Sequence, residues 1–431
     1  MKNKYSWSYL IHLSTNMWMD RDPADFETDY RKVRCLSPKR LFDENVYLEW
    51  TGRMNELGMD MAILDVGDAV CFPSHPELAI EGSWTPDRMR AEVRRLKTLG
   101  IEAIPKLNFS TGHDSWLKDY HRMVSTPAYY RVCEDLIRDV AEMFDHPRFL
   151  HLGYDEESPN QGSNFAVARQ GELWWHDYLW FISAVEKAGM RAWSWADAAW
   201  GRDEEFCRRC PKSVLLSNWY YGKSFTERDR AANTYRALEK AGFDQVPTGS
   251  NWGCPENMGL TVDFCREVIA PERLKGFMMA TWARTLPRYR AMGARSFDIL
   301  AETIARVERG EILDVNPEVM WVVKDGQIDR WQYPGDRFNL YPGETLVVDN
   351  NRVGRYRPAI DLDNAAKDGV KLTVRPAKAL KGLLAADETP SQTVEVEKRE
   401  RRRVLSSAEY RYLAVSADDR VCLTRVFSRG A

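Results

Sequence analysis

The sequence predicts an α/β fold, a (β/α)8 TIM barrel followed by a small antiparallel β domain. A short apolar run followed by an amphipathic segment recurs eight times between about residues 7 and 310. Several of these runs are apolar on both faces, as parallel strands covered by helices must be. Eight strands alternating with helices over about 300 residues is typical of such a barrel. An open doubly wound sheet is the alternative, but no G-x-G-x-x-G motif follows the first strand.

The predicted barrel strands are short and evenly spread along the chain. They are Ser8–Leu13, Met59–Asp65, Ile101–Leu107, Phe149–Gly153, Met190–Trp195, Val214–Asn218, Asp244–Thr248 and Gly276–Thr281. Helices are expected between them, because apolar residues recur there at helical spacing. The clearest are Asp87–Leu99, Tyr129–Phe144 and Leu173–Lys187. Pro86 precedes the first of these and Gly100 follows it, which are the residues favoured at a helix start and stop.

The pattern of apolar and polar residues changes after about Asp314. Segments beginning at Trp321, Glu344 and Val370 alternate apolar and polar residues, and Asp-Gly, Pro-Gly and Asn-Asn turns separate them. This pattern is typical of antiparallel strands joined by tight turns. We therefore expect a barrel domain over residues 1–313 and a β-rich accessory domain over residues 314–431.

Composition and charge argue against several classes of function. The 431 residues include 61 Lys and Arg against 64 Asp and Glu, a net charge of −3, which offers no long-range field for binding nucleic acid. The basic run Lys398–Arg403 is interrupted by Glu400, and this favours a solvated strand or turn. No stretch approaches the ~20 apolar residues of a membrane span, and no secretory signal is visible at the N-terminus. The oligomeric state and the compartment stay open.

The eight cysteines lack the spacing of a metal site. Cys207 and Cys210 form the one C-x-x-C motif, and a structural zinc site needs a second close pair. Cys254 and Cys265 match that spacing poorly. Neither a metal nor a cofactor is therefore expected.

Polar and aromatic residues collect at the carboxyl ends of the predicted strands, where a barrel of this kind places its active site. Sugar rings present flat apolar faces that stack on indole, and the chain carries 16 Trp. The pattern predicts a pocket that binds a carbohydrate. Its candidate substrate-binding residues are His12, Asn16, Asp65, Asp68, Asn108, His113, His151, Trp193, Trp195, Asp197, Trp219, Tyr220, Tyr221, Asn251, Trp252 and Trp282.

Asp155 and Glu156, after the fourth predicted strand, are the candidate catalytic pair. Cleaving a glycosidic bond needs an acid that protonates the leaving oxygen and an anionic group that stabilises the oxocarbenium-like centre. If one neighbouring carboxylate stays ionised, repulsion and exclusion of water raise the pKa of the other, which keeps its proton. Adjacent residues of a regular strand point to opposite faces, so both reach one site only if the chain bends after Gly153.

Two segments of the chain resemble one enzyme family. His151-Leu-Gly-Tyr-Asp155-Glu156 resembles the H-x-G-x-D-E signature of the family 20 glycoside hydrolases, the β-N-acetylhexosaminidases. The segment from Ile104 to His113 is similar to that family's strand-3 segment, an Ile-Pro, an acidic or amide residue, and then Gly-His. Trp195 and Trp282 fall where the family places pocket tryptophans. The resemblance covers about residues 7–310 and does not extend to the C-terminal domain.

The resemblance implies an exo-acting, retaining and substrate-assisted hydrolase of a terminal N-acetylhexosaminide-like sugar. Glu156 is then the general acid and base. Asp155 orients the 2-acetamido group of the substrate and stabilises the oxazolinium-like intermediate. His113 and His151 are then groups that support the pair or bind hydroxyls. The implied mechanism needs no metal.

The chain departs from the family at several hydroxyl contacts. A Tyr expected near strand 7 is replaced by Asn251-Trp252, which leaves Tyr220 or Tyr221 as substitutes, and strand 1 offers His12 and Asn16 in place of an Arg. The strand-3 acid is Asn108, and Ala283-Arg284 follows Trp282 where a carboxylate is expected. A galacto-configured or an acidic sugar therefore stays open, with Lys106 or Arg284 as an anion partner.

Two alternatives to this function remain from the sequence. The first is a glycosidase that uses two separated carboxylates. Its acid is Glu156 or Glu157, and its base or nucleophile is Asp65, Asp68 or Asp197. The second is a non-catalytic barrel that binds glycans through its tryptophans.

Overall fold

The chain divides into two compact units, Met1–Glu308 and Arg309–Ala431. The computed structural model describes residues 3–27, 32, 34–157, 168–222, 225, 229–313, 319–332, 337–349, 356–364, 369–377, 392–406 and 412–430. The predicted boundary after residue 313 stays a prediction, and residue 314 lies outside the described ranges.

In its described part, the first unit contains eight parallel strands, each followed by a helix. The strands are β1 Trp7–His12, β2 Met61–Asp65, β3 Glu102–Lys106, β4 Phe149–His151, β5 Arg191–Trp195, β6 Leu215–Ser217, β7 Thr248–Gly249 and β8 Phe277–Met279. The helices are α1 Glu44–Glu56, α2 Pro86–Thr98, α3 Pro127–Met143, α4 Gly171–Lys187, α5 Asp203–Arg209, α6 Arg230–Lys240, α7 Asn257–Val268 and α8 Arg290–Glu308.

The strands form one closed ring. Their order in the sheet is β6-β5-β4-β3-β2-β1-β8-β7. Bridges from Leu216 to Gln245 and from Trp219 to Thr248 join β6 to the chain around β7 and close the ring. The predicted (β/α)8 barrel is therefore confirmed. Because the ring has eight members, β4 and β8 lie opposite each other.

Strand register places one polar row around the inside of the barrel. His12 pairs with Asp65, Asp65 with Lys106, Lys106 with His151, and His151 with Trp193. Below this row the barrel interior is apolar, with buried side chains that include Leu10, Ile63, Ile104 and Met278. The row marks the floor of the barrel mouth, where the strands end.

The predicted helix starts are confirmed to within a few residues. Thr85 caps α2 by accepting from the backbone N–H of Arg88, and Pro86 occupies the first turn. Thr126 caps α3 in the same way. No described helix is both long enough and apolar enough to cross a membrane.

The seventh strand is shorter than predicted. The sequence predicts Asp244–Thr248, but the regular strand covers only Thr248–Gly249. Pro247 has no backbone N–H and interrupts the ladder at this point. Gln245 still pairs with both neighbours through isolated bridges, so the barrel wall is continuous.

The second unit is an antiparallel β domain, as predicted. Its described strands are β9 Val319–Lys324, β10 Gln327–Gln332, β11 Phe338–Leu340, β12 Glu344–Asp349, β13 Tyr356–Asp363, β14 Val370–Ala377, β15 Gln392–Val396, β16 Arg401–Leu405, β17 Tyr412–Ala417 and β18 Val421–Gly430. They form two sheets, β10-β9-β12-β17-β14-β15 and β11-β18-β13-β16.

Turn chemistry and a separate core define this second unit. The predicted Asp325-Gly326 turn joins β9 and β10, with positive φ at both residues, which hairpin turns favour. The predicted Asn350-Asn351 turn lies outside the described residues. A core of buried apolar side chains, including Leu346 and Val415, packs inside the unit. The basic run Lys398–Arg403 forms a turn and the exposed start of β16, as its composition predicts.

Candidate active site

The chain bends sharply after β4 and brings two carboxyl groups to one imidazole. Gly153, Tyr154 and Glu156 have φ of 66°, 69° and 57°, a region that non-glycine residues rarely adopt. As a result, Asp155 Oδ2 lies 3.4 Å and Glu156 Oε2 lies 3.3 Å from His113 Nε2. The bend that the sequence required is present, and adjacent side chains share one site.

Asn108, at the end of β3, fixes the bent segment. Its Nδ2 donates to Asp155 Oδ1 at 3.1 Å, and its Oδ1 accepts from the backbone N–H of Ser110 at 3.1 Å. Ser110 in turn donates its hydroxyl to the Asp155 carbonyl at 2.5 Å. A Cβ at Gly153 would lie 2.3 Å from Asn108 Cγ, so only glycine fits beside this amide. Ser110 was missed in the sequence, although its position two residues after Asn108 is a signal for such a turn.

His113 is a buried cation. Burial disfavours its charged form, but the charges and hydrogen bonds of Asp155 and Glu156 outweigh burial and raise the pKa of His113 to about 10. Burial also disfavours the ionised form of Asp155, yet the charges of His113 and Lys106 hold the pKa of Asp155 well below its usual range. At neutral pH the pair is therefore an imidazolium and a carboxylate.

Among the described residues, His113, Asp155 and Glu156 offer ligand atoms within 4.8 Å of one another. Such a distance suits a cation, but a ligating imidazole must first lose its proton. In the structure His113 Nε2 contacts both carboxyl groups, so the three side chains form one cluster of direct contacts.

Asp155 and Glu156 differ in access to solvent. The Asp155 side chain is 7% exposed, whereas the Glu156 side chain is 35% exposed. Asp155 is thus held at the base of the mouth, and Glu156 reaches its open side. The two carboxyl groups therefore lie in different environments, one buried and one partly open to solvent.

Asp197, after β5, adds a third carboxyl group to this site. Burial and the charges of Asp155 and Glu156 raise the pKa of Asp197 to about 7. Its Oδ2 accepts from the backbone N–H of Glu156 at 2.9 Å, which helps to hold the bend. Its Oδ1 is buried and has no hydrogen-bond partner among the described residues. The sequence predicted Asp197 as a binding residue and, in one alternative, as a base or nucleophile, but it did not predict the raised pKa.

Aromatic side chains form one wall of the mouth. Tyr221 accepts a hydrogen bond from Trp282 Nε1 at 3.0 Å and stacks on Trp219 with ring centres 5.0 Å apart. Trp282 lies 6.0 Å from Trp195 by ring centres and has φ of 53°. Burial, and beyond it the charges of Asp155 and other nearby carboxylates, raise the pKa of Tyr221, so its phenol stays neutral. The wall is mainly apolar, and Tyr221 lies near enough to Asp155, Glu156 and Asp197 for their charges to act on it.

His151 forms part of the floor beneath the acid groups. Its Nδ1 accepts from the backbone N–H of Gly153 at 3.0 Å, and its ring packs 4.6 Å from Trp195. Burial and the positive charge of Lys106 lower the pKa of His151 well below its usual value. The neutral ring therefore carries its proton on Nε2, which has no partner among the described residues.

Lys106 is already paired on the floor of the mouth. Its ammonium lies 2.8 Å from Asp65 Oδ2, and His12 Nδ1 lies 3.2 Å from the same oxygen. Burial opposes ionisation of Asp65, but Lys106 and His12 lower the pKa of Asp65. Lys106 is therefore not available as the anion partner that the sequence left open.

Asp68 and Asn16 form a buried group beside β1. Asp68 accepts from Ser14 Oγ at 2.5 Å and from Asn16 Nδ2 at 2.8 Å, and burial raises the pKa of Asp68 to about 6. Asn16 also exchanges hydrogen bonds with the backbone of Ser37. These contacts brace the loop after β1 rather than present free polar atoms.

The remaining substrate-binding candidates are two side chains that bind elsewhere in the barrel and two that lie in the loop after β7. Trp193 is fully buried and donates to Ser217, below the mouth, and Tyr220 donates to Asp229 on the α6 side. Trp252 is exposed, whereas Asn251 donates to the Met292 carbonyl and keeps a buried Oδ1 without a described partner. Tyr221, rather than Tyr220, is therefore the tyrosine near the acid groups.

Glu157 is held away from the mouth. Its carboxylate lies 2.9 Å from Arg169 Nη2, and both side chains are buried. Arg169 also pairs with Asp177 at 3.1 Å. The structure therefore does not support Glu157 as the acid, because a buried guanidinium occupies its side chain away from the mouth.

Comparisons with known proteins bear on the fold. No protein-family model matches the sequence, and no curated protein matches it. A solved β-N-acetylhexosaminidase has 14% identity and a TM-score of 0.50, with 72% of this chain and 76% of that chain covered. This likeness confirms the predicted barrel. It also confirms that the barrel of this chain resembles, in fold, the barrel of a β-N-acetylhexosaminidase.

Two further solved structures match with lower TM-scores. The family 20 exo-β-N-acetylglucosaminidase of Vibrio harveyi, in complex with N-acetylglucosamine, has 14% identity and a TM-score of 0.47, with 71% of this chain and 57% of that chain covered. The N-acetyl-β-hexosaminidase of Streptomyces plicatus has 13% identity and a TM-score of 0.48, with coverages of 70% and 64%. This chain thus spans about three fifths of the length of those two.

Proposed function

We propose that this chain is an exo-acting glycoside hydrolase that removes a terminal N-acetylhexosaminide-like sugar with retention. The observation that carries the proposal is the convergence of Asp155 and Glu156 on the His113 imidazolium at the end of β4. A wall of tryptophans beside this pair supports a sugar as ligand. The fold shared with a β-N-acetylhexosaminidase is in keeping with it.

In the proposed reaction Glu156 is the general acid and base. The carbonyl oxygen of the substrate's 2-acetamido group attacks the anomeric carbon, and the bond to the leaving oxygen breaks as Glu156 protonates that oxygen. Water then attacks the anomeric carbon, the oxazolinium ring opens, and Glu156 takes the proton of the water. The partial exposure of Glu156 suits both proton transfers, because the leaving group departs and the water enters through the open side.

Asp155 stabilises the intermediate in this proposal. An ionised, buried carboxylate beside the anomeric carbon can accept from the acetamido N–H and balance the positive charge of the oxazolinium ring. The charge of His113 and the hydrogen bond from Asn108 keep Asp155 ionised and fixed in position. Its burial makes the electrostatic interaction with the intermediate stronger than it would be in water.

Asp197 supports a second candidate function. In a glycosidase with a separated acid and base, Glu156 is the acid and Asp197 is the base, since a pKa of about 7 suits a general base and one Asp197 oxygen has no partner among the described residues. In that case the 2-acetamido group takes no part in the chemistry. The two candidates differ in one measurable property, the dependence of hydrolysis on that group.

A panel of nitrophenyl glycosides with and without the 2-acetamido group tests the proposal. We expect hydrolysis of a β-N-acetylhexosaminide, and at least about 100-fold slower hydrolysis of the matching glycoside with a 2-hydroxyl. Glu156→Gln should lower turnover of substrates with poor leaving groups by about 10²- to 10⁴-fold, because the proton donor is lost. Circular dichroism should show that its fold is kept.

The matched control is Glu204→Gln, which makes the same change on an exposed side chain of α5. It should keep wild-type turnover. Unchanged turnover of Glu156→Gln contradicts the proposal. Equal hydrolysis with and without the 2-acetamido group supports the separated pair instead, and glycan binding with no hydrolysis by the wild-type protein supports a binding barrel.

A further inference from the structure

Arg284, in the loop that follows β8, is a buried guanidinium with no ion pair among the described residues. The residue is 5% exposed. Its Nη1 donates to the Tyr289 hydroxyl at 3.0 Å, and its Nε is buried without a hydrogen-bond partner in the part of the chain that the structure describes. A buried cation without a carboxylate partner is unfavourable, so a site of this kind is usually completed by an anion.

The surroundings of Arg284 increase the need for a negative charge. Its guanidinium lies over the ring of Trp18 at 5.3 Å and near that of Tyr289 at 5.8 Å. The charged side chains that act on it include Arg288 and Arg34, which are cations as well. The ring faces attract the guanidinium, but they do not supply an acceptor for its unpaired N–H.

The topology of the barrel places Arg284 across the mouth from the acid groups. Asp155 and Glu156 follow β4, Arg284 follows β8, and these two strands are opposite in the ring. Aromatic contacts connect the two sides. Trp18 lies 6.0 Å from His12, and His12 lies 5.8 Å from Trp282, by ring centres. The mouth is therefore negative at one end, cationic at the other and aromatic between them.

We propose that Arg284 binds an anionic substituent on the terminal sugar, at the end of the ring remote from the glycosidic bond. The class of ligand is a hexose or N-acetylhexosamine that carries a carboxylate, a sulfate ester or a phosphate ester. The inference rests on the proposed function for one point, which is that the glycosidic bond lies at Asp155 and Glu156. A guanidinium presents planar N–H donors that match the oxygens of all three groups.

Titration calorimetry with matched pairs of free sugars tests the inference without the need for turnover. The pairs are N-acetylglucosamine with its 6-sulfate, N-acetylglucosamine with its 6-phosphate, and glucose with glucuronic acid. We expect the anionic member of at least one pair to bind the wild-type protein about tenfold or more tightly, and the difference to shrink as salt rises. The pair with the largest difference identifies the anionic group.

Variants of Arg284 connect this preference to its side chain. Arg284→Gln should reduce the ratio of the two affinities to about one, and Arg284→Lys should keep part of it, because Lys keeps the charge but not the planar donors. Arg295→Gln is the matched control, since it removes an equal charge from an exposed side chain of α8. It should keep the preference.

Equal affinities within all three pairs for the wild-type protein overturn the inference, as does a preference that Arg284→Gln retains. If Arg284→Gln does not fold, Arg284→Lys and the salt dependence of the wild-type protein still decide it. The proposed function is judged separately. A protein that prefers the anionic sugar through Arg284 but hydrolyses no glycoside keeps the anion site and loses the hydrolase.

Discussion

Asp197 is a single residue whose ionisation affects the whole site. Its pKa is raised from an ordinary 3.8 to about 7, first by burial and then by the charge of Asp155. Between these two values the folded chain holds a proton that the unfolded chain has released. The free energy of unfolding therefore falls as the pH rises through this window, and the full penalty is present above about pH 7.

Asp197→Asn should stabilise the protein at high pH and not at low pH. The amide keeps an oxygen that accepts from the Glu156 N–H but carries no charge to bury. We expect the unfolding temperature to rise by a few degrees at pH 8, which corresponds to about 1–3 kcal/mol, and to change little at pH 4. Thermal unfolding followed by circular dichroism at both pH values measures the difference.

Glu204→Gln serves as the control for this prediction, because it removes the charge of an exposed carboxylate. It should change the unfolding temperature little at either pH. An Asp197→Asn variant that is destabilised at pH 8 contradicts the pKa assignment. It would mean that the ionised carboxylate contributes more through its hydrogen bond than it costs through burial.

Sequence reasoning at this scale predicted that Asp155 and Glu156 lie together, but not the electrostatics around them. The motif around Asp155 and Glu156 predicted both carboxyl groups and the bend between them. It did not predict that Asp197 holds a proton, because that depends on burial and on charges from another strand. Lys106 and Glu157 show the same limit, since their partners Asp65 and Arg169 are set by the packed fold.

At the scale of elements, the turn after β4 depends on one glycine. Gly153 has a φ of 66°, and a Cβ there would lie 2.3 Å from Asn108. Gly153→Ala should therefore displace the amide that holds Asp155, and destabilise the fold by at least about 3 kcal/mol. Urea unfolding measures the stability, and hydrolysis of the panel substrate should fall with it.

Gly171→Ala provides the matched comparison. Gly171 begins α4 with a φ of 56°, and a Cβ at this position would meet nothing within 4 Å. The variant carries the backbone strain alone, and we expect it to cost about 1–2 kcal/mol and to keep its activity. Equal effects of the two substitutions would contradict the role given to Asn108.

The strand and helix bounds were predicted correctly where residues next to each other in the sequence determine them. The starts of α2 and α3 are visible in the sequence, because proline and a threonine cap lie together there. The end of the fourth strand and the short β7 were not visible. They depend on the bend at Gly153 and on a ladder that Pro247 interrupts, and both are settled by neighbouring strands.

At the scale of the whole molecule, every described residue of the candidate site belongs to Met1–Glu308. The β domain has a core of its own, in which Leu346 is fully buried. Leu346→Ala should destabilise that domain by about 2–5 kcal/mol through the cavity it leaves, and leave hydrolysis by the barrel unchanged. Calorimetry and the nitrophenyl assay measure the two properties on one sample.

Leu405→Ala is the control, because this β16 side chain is 39% exposed and leaves little cavity. It should change neither property. A tenfold loss of hydrolysis in Leu346→Ala at a temperature where the barrel is folded would contradict a site built from the barrel alone. The barrel itself was predictable from the sequence, since eight alternations admit few folds. The charge of the proposed sugar was not predictable, because it depends on which of the two cations, Lys106 or Arg284, the packed fold leaves without a partner.

Three of the nine described non-glycine residues with positive φ, Tyr154, Glu156 and Trp282, lie around the mouth. Glycine would relax the backbone at each of them by about 1–2 kcal/mol, but at Tyr154 and Trp282 the loss of a packed aromatic side chain costs more than that. Glu156 is partly exposed and loses little packing, so a directed-evolution library screened only for heat resistance should enrich glycine at the position of the proposed acid. The variants that pass such a screen would be thermostable but inactive. Any attempt to stabilise this protein by selection therefore has to select for turnover in every round.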